Sequence, residues 1–340
     1  MKIAVDAMGG DHAPREVVRG AVKAAREFDL SIVLVGREET IGAELKSADP
    51  PPGKVEIVHA ADVVEMHETP GVAYRKKKDS SIRVGLSLVA EGKASSFMSA
   101  GNSGAVMAGA LLVLRKIPGI ERPAITATIP TPTGPIVLID AGANVDCKPS
   151  HLFQFGIMGE AYARRILGIE HPRVGLVSIG AEESKGTDLT RDTAALFRRT
   201  PVQFVGNVEG RDFFLDKADV FVCDGFVGNV ALKTMEGMAS ALGHFLKEEI
   251  LKSWCARVGV AFAGGAIRRV RRKLDYAEYG GAPLLGVRGG VVICHGSSDA
   301  RAVMNGVRMA GSLYRYGVEG DIALAIEGKG NNSAADSAGD

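Results

Sequence analysis

This chain repeats one local order six times: a short apolar run, a polar loop carrying glycine, then a helical stripe. The loops are residues 6–12, 99–105, 140–149, 180–188, 224–229 and 294–299. Strands that alternate with helices build βαβ units, and these place helices on both faces of a mostly parallel sheet. The runs at 2–6, 31–35 and 174–177 are rich in β-branched residues and nearly unbroken, as strands buried on both faces require. Residues 124–129 and 135–139 flank Pro-Thr-Pro-Thr-Gly and read as a hairpin. In an open parallel sheet the carboxyl ends of the strands share one edge, so several of these loops are expected to converge on a crevice there.

The 340 residues are 46% hydrophobic and 24% charged, enough for a sizeable core. Residues 1–327 read as one α/β domain and 328–340 as a disordered tail with nothing to bury. A net charge of +1 gives no global attraction to nucleic acid or membrane. The four cysteines stand far apart, as buried thiols of a reducing cytosol do, and no apolar window is long enough to span a bilayer.

The stretch 173–190 carries the strongest loop. Val174 to Val177 form a strand, the chain breaks at Gly180, and Ser184-Lys185-Gly186-Thr187-Asp188 precedes a helical pattern. A helix start offers free N–H groups and a favourable dipole to an anion, and Lys185 adds a mobile cation. The other reading is a plain connection with a solvated lysine and Thr187 or Asp188 as cap. The pattern is not a Walker A loop.

The remaining loops carry amides, hydroxyls and carboxylates. Asp6 and Asp11 flank Gly9 and Gly10, either as the floor of a ligand site or as turn and cap chemistry. Asn102 and Ser103 offer neutral hydrogen bonds. The 140–149 loop holds Asp140, Asn144, Asp146 and Lys148, with no histidine spacing that suits a metal. Asp224 and Asn229 precede a long helix, and Lys233 lies one turn beyond Asn229 on the same face. His295 and Ser297 follow the last strand. No Ser-His-Asp order and no metal set stands out. Such loops suit holding an anion and stabilising an oxyanion.

Residues 242–279 leave the α/β rhythm. A helical pair is expected there, with Trp254 and Phe262 near an apolar tip and Arg268, Arg269, Arg271 and Arg272 as a basic shoulder. Such a projection suits a dimer partner, an anionic membrane surface or an acidic protein. It is too short to argue for nucleic acid.

Taken together, AVDAMGGDHAP (4–14), SAGNSGA (99–105), DAGANVDCKP (140–149), SIGAEESKGT (178–187), CDGFVGNVALK (223–233), YGGAPLLGV (279–287) and HGSSDA (295–300) resemble the bacterial phosphate acyltransferase (PlsX) family. The resemblance runs from residue 1 to about 316. It implies a Rossmann-like α/β/α sandwich, a homodimer, and transfer of a fatty acyl group from acyl carrier protein to inorganic phosphate without a cofactor. It also implies a cytoplasmic protein at the inner face of the membrane, supplying acyl phosphate to a membrane glycerol-3-phosphate acyltransferase.

Joined to the loops, the resemblance implies that Lys185 and helix-start N–H groups hold phosphate. Asn229, with Asn144, donates to the oxyanion, and Asp224 orients or handles protons. Asp6, Gly9, Asp11, Asn102, Ser103, Asp146, Ser184, Thr187, Lys233, His295 and Ser297 are expected around the substrate. The rival readings are a phosphotransacylase using coenzyme A thioesters, a dehydrogenase of related fold, and a membrane-surface scaffold without activity. The first loop lacks the glycines of a dinucleotide fingerprint, which counts against the dehydrogenase.

Overall fold

The computed structural model describes residues 1–274 and 276–336; side chains at 261, 268, 271–277 and 329–340 lie outside the described residues. In chain order the elements begin β1 (Lys2–Asp6), α1 (Arg15–Glu27), β2 (Ser31–Gly36), α2 (Glu38–Ala48), β3 (Val55–His59), α3 (Pro70–Lys76), α4 (Ser81–Ala90), β4 (Ser96–Ser99) and α5 (Ser103–Val113). A hairpin of β5 (Ala124–Ile129) and β6 (Ile136–Ile139) follows, then α6 (Pro149–Tyr162), β7 (Val174–Val177), α7 (Asp188–Phe197), β8 (Phe204–Val208) and β9 (Val220–Val222). The chain ends with α8 (Gly225–Lys252), α9 (Trp254–Leu274), β10 (Ala282–Leu285), β11 (Gly290–Ile293), α10 (Ala300–Arg315) and α11 (Val318–Asp336).

The strands form an 11-stranded sheet in the order β3-β2-β1-β4-β11-β10-β5-β6-β9-β7-β8. Pairings are parallel from β3 to β11 and again from β6 to β8. In the centre, β10 runs antiparallel to β11 and to β5, and β5 antiparallel to β6. Three reversals leave β6, β9, β7 and β8 pointing opposite to β1, β2, β3, β4 and β11. The expectation of one shared carboxyl edge is therefore corrected. Loops 6–12, 99–105 and 294–299 lie at one edge, and loops 140–149, 180–188 and 224–229 at the other.

Helices α1, α6 and α10 bury their apolar stripes on one face, with Phe155, Tyr162, Val303 and Val307 fully covered. On the other face, α4 and α5 pack Ile82, Leu86, Val106 and Ala110 against Phe97 and Val291. Farther along that face α8 lays Ala231, Leu232 and Met235 on Leu138 and Phe221. Each fully buried large side chain is worth about 1.5–3 kcal/mol, so helix stripes and strands together supply the hydrophobic term.

Three expectations change in detail. Residues 280–287, read as a loop, contain β10; Pro283 at its centre pairs with Val292. Helix α8 begins at Gly225, not near Val230, because Asp224 caps it. The terminal helix runs to Asp336, across most of the stretch read as a loose tail, and residues 337–340 lie outside the described residues.

Candidate active site

Strands β6, β9 and β7 are neighbours and parallel, so the loops that follow them leave one edge side by side. Asp140, at the end of β6, organises that edge. Its side chain is fully buried. Oδ1 accepts from the backbone N–H groups of Ile125, Gly142 and Ala143, and Oδ2 from both the backbone and side-chain nitrogens of Asn144. Burial pushes the Asp140 pKa up, and these donors pull against it.

Asn144 is thereby reassigned. Its amide nitrogen donates to the Pro123 carbonyl at 2.8 Å and to Asp140 at 2.8 Å, so both protons are spent inside the loop and none is left for an oxyanion. Its carbonyl accepts from Gly225 N at 2.6 Å, tying the β6 loop to the start of α8. Asp224 is also committed: it accepts from Val227 N at 2.9 Å as the N-cap. A Cβ at Gly228 would lie 1.9 Å from the Asp140 carbonyl oxygen, a backbone atom that cannot move aside. Gly228→Ala is therefore expected to cost more than about 3 kcal/mol, read as a lowered urea midpoint; a midpoint within about 0.5 kcal/mol of wild type removes this packing argument.

These ties place Asn229 inside α8 rather than at its cap. Its side chain is exposed and has no hydrogen-bond partner among the described residues. It faces the glycine turn of the β6 loop, where a Cβ at Gly142 would lie 3.5 Å from its own. Asp146 and Ser184 are exposed on the adjoining loops.

The β7 loop ends where Thr187 caps α7, accepting from Thr190 N at 3.3 Å. The next two helix amides, of Asp188 and Leu189, have no acceptor within the helix, as at any helix start. Gly186 takes a positive φ of 100° to make the turn. The Ser178 hydroxyl is buried there without a partner, 2.7 Å from where a Gly186 Cβ would sit. Lys185 is exposed, and its ammonium makes no ion pair among the described residues. Sequence reading passed over Ser178; its place directly after a buried strand was the available signal.

The other edge is built on Asp6 in the same way. Asp6 is buried, its pKa raised by that burial, and it accepts from Ser99 Oγ at 2.7 Å and Met8 N at 3.1 Å. Gly9 and Gly101 pack so closely that a Cβ on Gly9 would lie 2.7 Å from Gly101 N. Asp11 N donates to the Gly296 carbonyl. Asn102, expected near substrate, is spent on structure: it caps α5 through Ala105 N and donates to the carbonyls of Glu65, Met66 and Glu68. Ser103 is exposed in the first turn of α5.

The two edges meet through α8. Lys233 Nζ lies 2.7 Å from Glu236 Oε2 and 3.4 Å from His295 Nε2, and His295 Nδ1 lies 3.0 Å from Ser297 Oγ. Lys233 stands one turn, about 5–6 Å, from Asn229. Thus Asn229 and Lys233 lie one turn apart on α8, Lys233 reaches His295 and through it Ser297, and Lys185 and Thr187 lie on the loop after β7, the strand beside β9.

The three thiols near the sheet are poor nucleophiles, and the fourth, Cys255, is exposed on α9. Burial pushes Cys147 and Cys294 up to about 12, and Cys223 well above its ordinary value. No cluster of metal-binding side chains occurs among the described residues, and no helix there is long and apolar enough to cross a membrane.

Helices α8 and α9 form the expected projection. Trp254 is 69% and Phe262 89% exposed. Arg269 is exposed, whereas the side chains of Arg268, Arg271 and Arg272 lie outside the described residues. Lys252 is 23 residues beyond Asn229 on one continuous helix, which sets the tip about 35 Å from the cleft.

A family model described as fatty acid synthesis protein matches residues 1–320. The phosphate acyltransferase of Pelotomaculum thermopropionicum is 54% identical over 327 residues, covering 96% of this chain and 95% of the relative. The phosphate acyltransferase of Pelobacter propionicus is 53% identical over 318 residues, covering 94% and 92%. Among solved structures, the EutD phosphotransacetylase from Staphylococcus aureus superposes with a TM-score of 0.61 at 15% identity, over 92% of this chain and 94% of that one. A phosphotransacetylase from Streptococcus pyogenes gives 0.61 at 18%, over 96% and 94%; at such identities the likeness is one of fold. With matches that span nearly its whole length, the chain belongs to the fatty acid synthesis protein family, the PlsX family of phosphate acyltransferases.

Proposed function

We propose that the enzyme transfers a fatty acyl group from acyl carrier protein to inorganic phosphate, at the loop edge of β6, β9 and β7. Phosphate rests on the α7 start and Lys185. One of its oxygens attacks the thioester carbonyl carbon. The carbonyl oxygen takes up the negative charge, and Asn229 donates to it. The intermediate collapses, the carbon–sulfur bond breaks, and the thiolate leaves to take a proton from water. The reading has no acyl-enzyme, in keeping with thiols whose pKa values burial has raised. The observation that carries it is the pair of unpartnered groups, the Asn229 amide in the first turns of the helix after β9 and the Lys185 ammonium on the loop after the adjacent strand β7.

Lys233, His295 and Ser297 are assigned to the substrate side of the cleft, where a cation beside an imidazole suits an anionic group. In this proposal the exposed tip around Trp254 and Phe262 serves an anionic membrane surface or the second subunit of a homodimer. The product passes to a membrane glycerol-3-phosphate acyltransferase.

The test is release of free carrier protein from palmitoyl-acyl carrier protein with and without phosphate. Release that needs phosphate and yields one acyl phosphate per thioester supports the reading. Phosphate-independent release, or turnover of palmitoyl-coenzyme A alone, rejects it in favour of hydrolysis or of a coenzyme A phosphotransacylase.

A further inference from the structure

The same three loops carry a feature that the phosphate and oxyanion roles leave unused. Val145 on the β6 loop is 64% exposed, Ile179 on the β7 loop 83%, and Phe226 at the start of α8 63%; Val230 is exposed as well. Val145 and Ile179 have polar or small neighbours, Asn144 and Asp146, Ser178 and Gly180; Phe226 follows Gly225 and precedes Val227, itself an exposed apolar residue. Large apolar side chains on a polar, glycine-rich edge mark a contact surface rather than a core.

Their arrangement is fixed. The 2.6 Å hydrogen bond from Gly225 N to the Asn144 carbonyl holds the residues that follow each partner, Phe226 and Val145, beside one another. Ile179 leaves β7 three residues past Leu176, which pairs with Val222 of β9; Phe226 stands four residues past Val222. Phe226 and Val230 are an i,i+4 pair on the first turns of α8 and share one flank of Asn229. An apolar strip thus borders the free amide on one flank, and Ile179 carries it to the loop that holds Lys185.

We propose that Val145, Ile179, Phe226 and Val230 form the surface on which the aliphatic chain of the acyl donor lies, and that they set a preference for long chains. The assignment rests on the reading of this edge as the acyl-transfer site. Continuity with Asn229 selects the occupant: a carbonyl held at that amide has this apolar flank beside it for its chain. The strip is open, so it reads chain length by apolar contact rather than by a closed end.

The experiment compares palmitoyl- and butyryl-acyl carrier protein as donors for wild type, Phe226→Asn, Ile179→Asn and Phe226→Leu, with sedimentation of each variant. A four-carbon chain reaches little of the strip. The palmitoyl-to-butyryl ratio of kcat/KM is expected to fall about tenfold in each Asn variant, the amount that burying one such side chain is worth. Phe226→Leu is expected to keep most of the ratio. An unchanged ratio overturns the proposal. So does a shift from dimer to monomer in the Asn variants, which assigns the strip to a second copy of the chain. A wild type inactive with both donors in the presence of phosphate defeats the underlying reading, and this assignment with it.

Discussion

Lys185→Ala and Asn229→Ala each lower kcat/KM by about 10²–10³, the usual consequence of losing one preorganised donor from an anionic transition state. The two losses are expected to differ in kind. Lys185 holds phosphate before and during attack, so its removal raises the KM for phosphate as well as lowering kcat. Asn229 meets charge that exists only in the transition state, so its removal lowers kcat and leaves both KM values near wild type. Both side chains are exposed and unpartnered, so the urea midpoint is expected to stay within about 0.5 kcal/mol of wild type. Initial rates over a grid of phosphate and donor concentrations separate the cases. Near-normal kcat in both variants would show that the reacting atoms lie elsewhere.

Much of this site was legible as residue types. Gly-Ala-Glu-Glu-Ser-Lys-Gly-Thr between a strand and a helix put Lys185 on the loop and narrowed the cap to Thr187 or Asp188, of which the structure takes Thr187, because strand length and cap chemistry are local. What the chain did not spell out was direction. Parallel and antiparallel pairings look alike in a short apolar run, and β10 was concealed by Gly280, Gly281 and Pro283. Without β10 the reversals at the centre of the sheet cannot be counted, and all six loops fall wrongly on one edge. Role was hidden for a second reason. Asn102 and Asn144 read like free amides, yet each donates to backbone carbonyls supplied from distant residues, and Asn144 also to Asp140 on its own loop. Hydrogen-bond partners are set by tertiary approach, which sequence spacing does not report.

Asp140→Ala should be among the most damaging single changes in this chain, although the residue touches no substrate in the proposed mechanism. It would strip the acceptor from five N–H donors at once: those of Ile125, Gly142 and Ala143, and two of Asn144. Each buried donor left unpaired costs about 1–3 kcal/mol, and local relaxation lets some reach water, so a loss of at least about 4 kcal/mol is expected. Charge works the other way. Burial raises the Asp140 pKa above its ordinary 3.8. The stability this ionisation equilibrium contributes is complete below the unfolded pKa and is lost as pH rises through the raised folded value. The hydrogen bonds therefore work against the cost of burying the charged form. Asp140→Asn separates the two effects. It keeps an oxygen for three donors, opposes the two from Asn144, and abolishes the titration. Its cost should fall between wild type and alanine, and the gap between wild type and the Asn variant should narrow as pH rises across the shifted pKa. Urea unfolding of the three proteins across that range measures both quantities. Equal midpoints for Asn and Ala would mean that charge, rather than the count of hydrogen bonds, holds this loop in place.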